Sequence, residues 1–384
     1  MMRILVIRYR FIGDTVLMIP FLRNLRQAYP DAKIDALVGA VSGEVLTECP
    51  YIDELIVFDT TRKHKYENAK QEKKSFFSYV KLLKGRNYDK AYVLKRSFSS
   101  AALAFLAGIK QRIGFNTEGR GFLLTQKIPY VKDRHEVECF LDVLRADNIP
   151  VNRNHLENWT SRDSEAKINT IFKELYLNKN GFQKCEAKDS TRFLKTESQI
   201  NKKTIINVTD GLKVLIHATS GNVNKQWNPE YFAEVVTYLV NNLGARVFYT
   251  GTQKDAEIYD EIRSLIKEDL IHEPVNLCGK LSIQGSTALI GRMDFAIGSD
   301  SGTLHIAASM NVPVIGIYGP MNYKKWQAFG EIHEPVHLDL PCMPCELRKK
   351  CPRSIACLQD LKPAMVIKKV DKLVNSKNCG RVNS

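Results

Sequence analysis

Four short segments of this chain combine residue types and spacing that can do chemistry. In Arg8-Tyr9-Arg10-Phe11-Ile12-Gly13-Asp14-Thr15, Gly13 permits a tight turn and Asp14 stands where a helix is about to begin. An acid there serves either as an N-cap for orphan amides or as a general base kept ionised by the helix dipole and the flanking arginines, and the two roles can coexist. In the second segment, His217 to Pro229, the small and hydroxyl residues Thr219, Ser220 and Gly221 allow close approach of an anion. Lys225 follows in the loop before a helix opened by Asn228-Pro229. That ammonium either neutralises a phosphate or is a solvated surface lysine, and Trp227 reads as a packed anchor. The third segment, Ile297 to Ala308, runs strand, glycine-hydroxyl turn and small-residue helix through Asp300, Ser301, Gly302, Thr303 and His305. Exposed amides at such a helix start bind anions without a metal. Asp300 again has a capping alternative, and His305 that of a hydrogen-bonded helix histidine. The fourth, Val314 to Pro320, is a strand ending in Gly-Pro at the same sheet edge.

Other signatures are missing. Asp-x-Asp occurs nowhere, which disfavours a metal-bound diphosphate of the kind that needs two closely spaced carboxylates, and neither Gly-x-Gly-x-x-Gly nor Gly-x-x-x-x-Gly-Lys-Ser/Thr is present. Phosphate must then be held by amides, hydroxyls and lysine. Cys342, Cys345, Cys351 and Cys357 are spaced as four thiolates that could take zinc or an iron-sulfur cluster, but the intervals suit neither a zinc ribbon nor a ferredoxin. Structural thiols or a redox-sensitive pair are the other readings, and no metal is assigned.

These segments need a scaffold that presents loops at one edge. Arg3–Ile7, Lys33–Val38, residues 54–58 and residues 90–94 read as short buried strands separated by helix-length stretches. The rhythm restarts with strands at 214–217, 245–250, 295–297 and Val314–Ile317, and helices at 229–242 and 255–267. Alternation of this kind predicts an α/β chain with two doubly wound parallel sheets and a cleft between their carboxyl edges. At roughly 150 residues per domain, 384 residues favour two. The predicted organisation is a first domain over 1–178, a hydrophilic Lys/Asn/Thr/Ser-rich insertion over 179–211, a second domain over 212–360, and a C-terminal helix and flexible tail over 361–384.

Composition narrows the classes. Hydrophobic residues make 44% and charged residues 26%, so a packed core is expected rather than general disorder. No apolar run approaches the roughly 18 residues of a spanning helix, and the four apolar residues at the start are too few for a secretory signal, so a cytoplasmic location is expected. Nine cysteines in such a chain read as reduced thiols. A formal charge of +14 calls for phosphate-bearing partners: nucleotides, anionic lipids or nucleic acid.

Taken in order, Gly13-Asp14, His217-Ala218 through Lys225-Gln226-Trp227, Gly279-Lys280-Leu281-Ser282, Asp300 to His305 and Gly319-Pro320 resemble glycosyltransferase family 9, the heptosyltransferases of the lipopolysaccharide inner core, from Met2 to about Lys372. The four-cysteine segment is similar to tails of the second heptosyltransferase branch. The resemblance implies a GT-B fold and transfer of heptose from ADP-heptose with inversion, with neither metal nor cofactor. Asp14 would be the base and Lys225 the diphosphate holder. Asp300 would contact the donor sugar, Ser301 and Gly302 the phosphate, and Leu281 adenine, with Thr219, Ser220, Thr303 and His305 completing the donor side. Where some members carry an acid for the ribose, this chain has Gln253, so that Gln253 would substitute or Asp255 reach in.

The implied acceptor is an anionic glycolipid at the cytoplasmic face of the inner membrane, with Arg10, Gly13, Lys95, Arg96, Arg112 and Arg120 as candidate contacts and a monomer as the working form. From Arg62 to Lys90, ten basic residues face three acids, with Phe76, Phe77, Tyr79, Leu82 and Leu83 interleaved, and a membrane-docking helix is one reading of that stretch. A solvated helix with a buried stripe is the other. Rival functions are a basic nucleic-acid-binding protein, which leaves the paired sheet-edge loops unexplained, a GT-B enzyme with another nucleotide sugar, and a silent paralogue, against which Asp14, Lys225 and Asp300 argue.

Overall fold

Short runs of aliphatic and β-branched residues, buried on both faces, set the strands. The first half contains β1 (Arg3–Ile7), β2 (Lys33–Val38), β3 (Glu54–Val57), β4 (Lys90–Val93), β5 (Gln111–Phe115) and β6 (Gln126–Ile128). The second contains β7 (Lys213–His217), β8 (Arg246–Tyr249), β9 (Val275–Asn276), β10 (Phe295–Ser299), β11 (Val314–Ile317) and β12 (Glu334–Val336). In the computed structural model, which describes residues 1–59, 74–177 and 211–378, these form two six-stranded parallel sheets. The orders are β3-β2-β1-β4-β5-β6 and β12-β11-β10-β7-β8-β9, the same winding read from opposite edges. In each sheet the winding reverses between two adjacent strands, β1 and β4 in one and β7 and β10 in the other. Loops leaving their carboxyl ends border the crevice where such sheets bind ligands. Lys95, Lys225 and Asp300 lie on three of those loops, and Asp14 in the first turn of the helix that the fourth leads into. The predicted insertion, apart from Gly211, the basic stretch before Lys74 and the end of the tail fall outside the described residues.

The first helix departs from expectation. It begins at Ile12, two residues early, and Asp14 lies inside its first turn without capping it; the N-cap position is Phe11, which makes no side-chain cap bond. Arg10 and Phe11 take left-handed φ angles of 90° and 62°, which the short loop needs in order to turn the chain straight into the helix. Pro20, without an N–H, splits the predicted single helix into Ile12–Leu17 and Ile19–Ala28. Asp300 is likewise not a cap, because Ser301 holds that position.

Chain crossings tie the halves together. Helix Arg162–Leu177, which follows the first sheet in sequence, docks on the second: Phe172 packs on Phe248, Glu165 pairs with Arg292 at 2.9 Å, and Lys167 Nζ donates to the carbonyl of Lys280. Helix Pro363–Asn378 packs along the second sheet, where Lys369 and Lys372 hold Glu334. At the interface, Lys325 of the second half inserts its ammonium 3.2 Å from Glu136 of the first, both almost fully buried, and Tyr130 Oη donates to the same carboxylate at 2.6 Å. Nearby, Asn322 Nδ2 donates to Asp133, and the ring of His135 meets the carbonyl of Gln327. Removing one member of a buried pair strands the other charge. Lys325→Met should therefore lower unfolding free energy by about 3–5 kcal/mol, read as a fall in urea midpoint; an unchanged midpoint would mean the pair adds nothing.

Candidate active site

β1 delivers the chain to Arg8, and the guanidinium of this buried residue pairs with the Asp14 carboxylate in the first turn of the following helix. Only 6% of Asp14 is exposed. Burial raises its pKa above the usual aspartate value; Arg8 opposes that rise, and the negative charge of Glu136 adds to it. A carboxylate whose pKa is raised while a cation still partners it is a better proton acceptor than an ordinary aspartate. From β4, Lys95 reaches the same place, pulled down to about 8 by burial and then by the positive charge of Arg8, Arg10 and Arg96. Arg96 stacks on Tyr130 with 4.0 Å to the ring centroid. Arg10, Lys95 and Arg96 thus gather positive charge beside Asp14.

Two expected contacts do not belong here. Arg120 is fully buried and donates through Nε and Nη1 to the carbonyls of Phe115, Lys95 and Ser97 and to Ser100 Oγ, so it braces the loop after β4 from beneath and is out of reach of a ligand. Arg112 likewise donates to the carbonyls of Leu123, Ile109 and Lys110. Both are structural because a guanidinium satisfies several carbonyls at once.

The opposing side is organised around His217. Its Nδ1 lies 3.0 Å from the carbonyl of Thr250, which can only accept, so Nδ1 carries the proton and Nε2 is left to accept from the hydroxyls of Thr303 at 3.2 Å and Thr219 at 3.4 Å. Burial lowers its pKa and keeps the ring neutral. One residue at the end of β7 thereby ties together the loops after β7, β8 and β10. Ser220 Oγ donates to the carbonyl of Asp300, Trp227 N–H donates to Ser299 Oγ, and the Trp227 indole N–H donates to the carbonyl of Leu361, which fixes the ring as an anchor. Lys225 Nζ sits 2.7 Å from Asp300 Oδ2. Ser301 Oγ and His305 Nδ1 are buried with no hydrogen-bond partner among the described residues. Such groups cost about 1–3 kcal/mol each unless a ligand completes them.

The two sides touch through glycine. A Cβ on Gly13 would come within 2.7 Å of the His305 ring, and one on Gly302 within 3.0 Å of the Gly13 nitrogen. Only the absence of side chains at both positions lets helices Ile12–Leu17 and Gly302–Ser309 meet end to end, bringing the Asp14 loop onto the Asp300 turn. His305, buried and lowered to about 3, is a neutral wall of this contact. Further along the second sheet, Gln253 is exposed and lies over Gly279, whose φ of +72° and missing Cβ make room for it, while Leu281 is half-buried against Gly285. Asp255 does not reach in: its carboxylate is held by Thr252 N–H and Oγ1 at 2.6 and 2.8 Å. Cys342, Cys345, Cys351 and Cys357 are free thiols, with Cys357 pushed up to about 11 by burial and by its three neighbours. Among the described residues no group of three or more His, Cys, Asp or Glu is placed to hold a metal ion.

A family model described as glycosyltransferase family 9 (heptosyltransferase) matches residues 76–355, well over half of the chain. The chain belongs to glycosyltransferase family 9. Lipooligosaccharide heptosyltransferase 2 of Campylobacter jejuni is 27% identical over 370 residues, covering 95% of this chain and 96% of that protein. Lipopolysaccharide heptosyltransferase 2 of Escherichia coli K12 is 25% identical over 319 residues, 83% of each. The E. coli ADP-heptose lipopolysaccharide heptosyltransferase II structure superposes with a TM-score of 0.72 at 21% identity, covering 98% of this chain and all of the other. The fold is GT-B. This family 9 chain is accordingly a heptosyltransferase, and the relatives it resembles include the second lipopolysaccharide branch. Arg8 was legible as a flanking arginine of Asp14, and the structure makes it the partner of that carboxylate. Glu136 and Lys325 also bear on the site but carry no mark in sequence that separates them from other helix residues.

Proposed function

We propose that the enzyme transfers heptose from ADP-L-glycero-β-D-manno-heptose, with inversion and without a metal ion, to the lipopolysaccharide inner core, either Kdo-lipid A or its heptosylated form. It acts as a monomer at the cytoplasmic face of the inner membrane. The observation that carries this reading is the Gly13–Gly302 contact, which sets a buried carboxylate of the first sheet against a lysine-bearing anion site of the second. The relatives' names, which speak of lipopolysaccharide, lipooligosaccharide and ADP-heptose, supply the substrate class. Among the described residues no helix is long and apolar enough to cross a membrane.

In this reading the first half binds the acceptor and the second the donor. The acceptor hydroxyl gives its proton to Asp14 as its oxygen attacks the anomeric carbon on the side opposite the diphosphate. The bond from that carbon to the diphosphate oxygen breaks, and ADP leaves with the electron pair. Lys225, Ser301 Oγ and the amides opening helix Gly302–Ser309 take up the charge, which a divalent cation would otherwise do. Asp300, anchored by Lys225, is placed for the sugar hydroxyls, and Gln253 and Leu281 for the nucleoside. Titration calorimetry with ADP, UDP, GDP and their sugar conjugates in chelator tests the reading. ADP-specific binding that survives chelation supports it; a preference for UDP or a strict metal requirement overturns the named donor or the metal-free mechanism.

Lys95, with Arg10 and Arg96, faces the acceptor's anionic groups. Its ammonium is intact below its lowered pKa and lost above it, so KM for the acceptor should rise as pH climbs through about 8. Lys95→Arg, which stays charged, should flatten that rise. A KM that climbs equally in both enzymes would remove Lys95 from the acceptor site.

A further inference from the structure

Helix Phe98–Leu106 is apolar nearly all round, a pattern expected of a helix covered on every side. Here only one face is covered: Ser100, Ala101, Leu103 and Ala104 are buried, while Phe98, Phe105 and Leu106 remain 48%, 47% and 46% exposed. Phe98 and Phe105, seven residues apart, fall on the same side of the helix. Phe122, 71% exposed on the turn Arg120–Leu123, extends the stripe, its ring 6.1 Å from that of Phe98. The expected docking helix is a different case. Phe76–Gly85 turns Tyr79 and Leu83 into the core and packs Phe76 and Leu82 against it, leaving Phe77 as its one large exposed apolar side chain.

The free charge beside the stripe is basic. Between Lys95 and Lys127 the exposed basic residues are Lys110, four residues after Leu106, and Lys127, which packs against Gly121 next to Phe122, whereas Arg112 and Arg120 are committed to carbonyls, and Glu118 is the one acid. The Arg112 guanidinium lies over the Phe105 ring at 5.2 Å. The stripe also starts at the active site. Ser97 and Ser99, on either side of Phe98, hydrogen-bond Tyr9 Oη in the loop that carries Asp14.

We propose that Phe98, Phe105, Leu106 and Phe122 form the surface on which the enzyme lies against an anionic phospholipid bilayer, their side chains entering the headgroup layer while Lys110 and Lys127 beside them meet lipid phosphates. A lipid-anchored acceptor then presents its sugars to Asp14 without leaving the membrane. This rests on the proposed glycolipid acceptor, and it moves the membrane contact from the Arg62–Lys90 stretch to the next helix. An aromatic-plus-basic surface of this kind binds through partial apolar insertion added to attraction for anionic lipid, and neither contribution is strong alone.

Co-sedimentation of the full chain with phosphatidylglycerol/phosphatidylethanolamine vesicles and with phosphatidylcholine vesicles tests it. Wild type should partition onto the anionic vesicles, less so as salt rises, and only weakly onto the neutral ones. Phe98→Ser with Phe122→Ser should weaken partition about tenfold, and Lys110→Glu about fivefold. Turnover of acceptor embedded in vesicles should fall in step, while ADP affinity and turnover of the same acceptor stripped of its acyl chains stay at wild-type level. Variants that partition like wild type, or a wild type indifferent to lipid charge, would overturn the proposal. So would a wild-type dimer, seen by light scattering, that the double variant splits while neither protein binds vesicles, since the stripe would then cover a second copy. Failure of wild type to use the deacylated acceptor would count against the proposed substrate, and vesicle partition would still decide the surface.

Discussion

Asp14→Asn should lower kcat by about 10²–10⁴-fold, the usual contribution of a positioned base, while leaving the affinity for ADP within about twofold of wild type, since Asp14 belongs to the first sheet and the anion site to the second. The substitution keeps the shape of the side chain but removes both its ability to take a proton and the charge that pairs with Arg8, so a urea titration run alongside separates lost chemistry from lost stability. The pH profile carries the sharper test. Burial, aided by Glu136, raises the Asp14 pKa above that of an ordinary aspartate against the pull of Arg8. The base is competent above that pKa and protonated below it, so wild-type kcat/KM should fall as pH drops through a value higher than a free aspartate would show. That acid limb should be missing from the residual activity of Asp14→Asn. A variant that retains wild-type kcat, or keeps the acid limb, would assign the base to another residue.

Lys225→Ala should weaken ADP binding by about 10- to 100-fold, corresponding to the ~1.5–3 kcal/mol of a hydrogen bond to a charged group. Its partner makes the outcome more informative. In the unliganded chain Lys225 is held by Asp300, whose carboxylate is nearly buried. Loss of the ammonium therefore removes the charge that receives diphosphate and leaves Asp300 as an uncompensated negative charge beside it. Because the lysine is partly exposed, the cost to folding should stay near 1 kcal/mol, the upper range for such pairs. Calorimetry with ADP in the presence of chelator reads the binding loss, and a parallel urea titration separates it from stability. Lys225→Arg should recover part of the affinity. ADP binding that is unchanged in Lys225→Ala would leave the diphosphate to the amides alone.

Much of the site was legible before folding because its signals are local. A buried β-branched run followed by Gly13-Asp14, a loop ending in Lys225-Gln226-Trp227 and the Asp300-Ser301-Gly302 turn are each contiguous, and each sits at a strand end that the hydrophobic pattern reveals. The short strands β9 and β12, of two and three residues, offer too few side chains for any periodicity and were missed, as were β5 and β6. The helix boundary at Asp14 was misplaced because nothing in the composition of Arg10 and Phe11 announces left-handed backbone.

The sequence by itself determined the kind of fold, two parallel sheets with loops at their carboxyl edges, and the placement of Asp14, Lys225 and Asp300 at those edges, because strand, turn and helix start are decided by residues within a few positions of one another. Tertiary structure alone decided which charges serve the site. Arg120 and Lys95 look alike in sequence, yet one is buried against the carbonyls of Phe115, Lys95 and Ser97 and the other stands beside Asp14 with its pKa lowered by burial. His217 becomes a hub only when Thr250 and Thr303, 33 and 86 residues away, close on its two nitrogens. Glu136 and Lys325 find each other only across the interface. Burial and long-range pairing set the protonation state and the partner of an ionisable group, and neither is encoded in spacing along the chain.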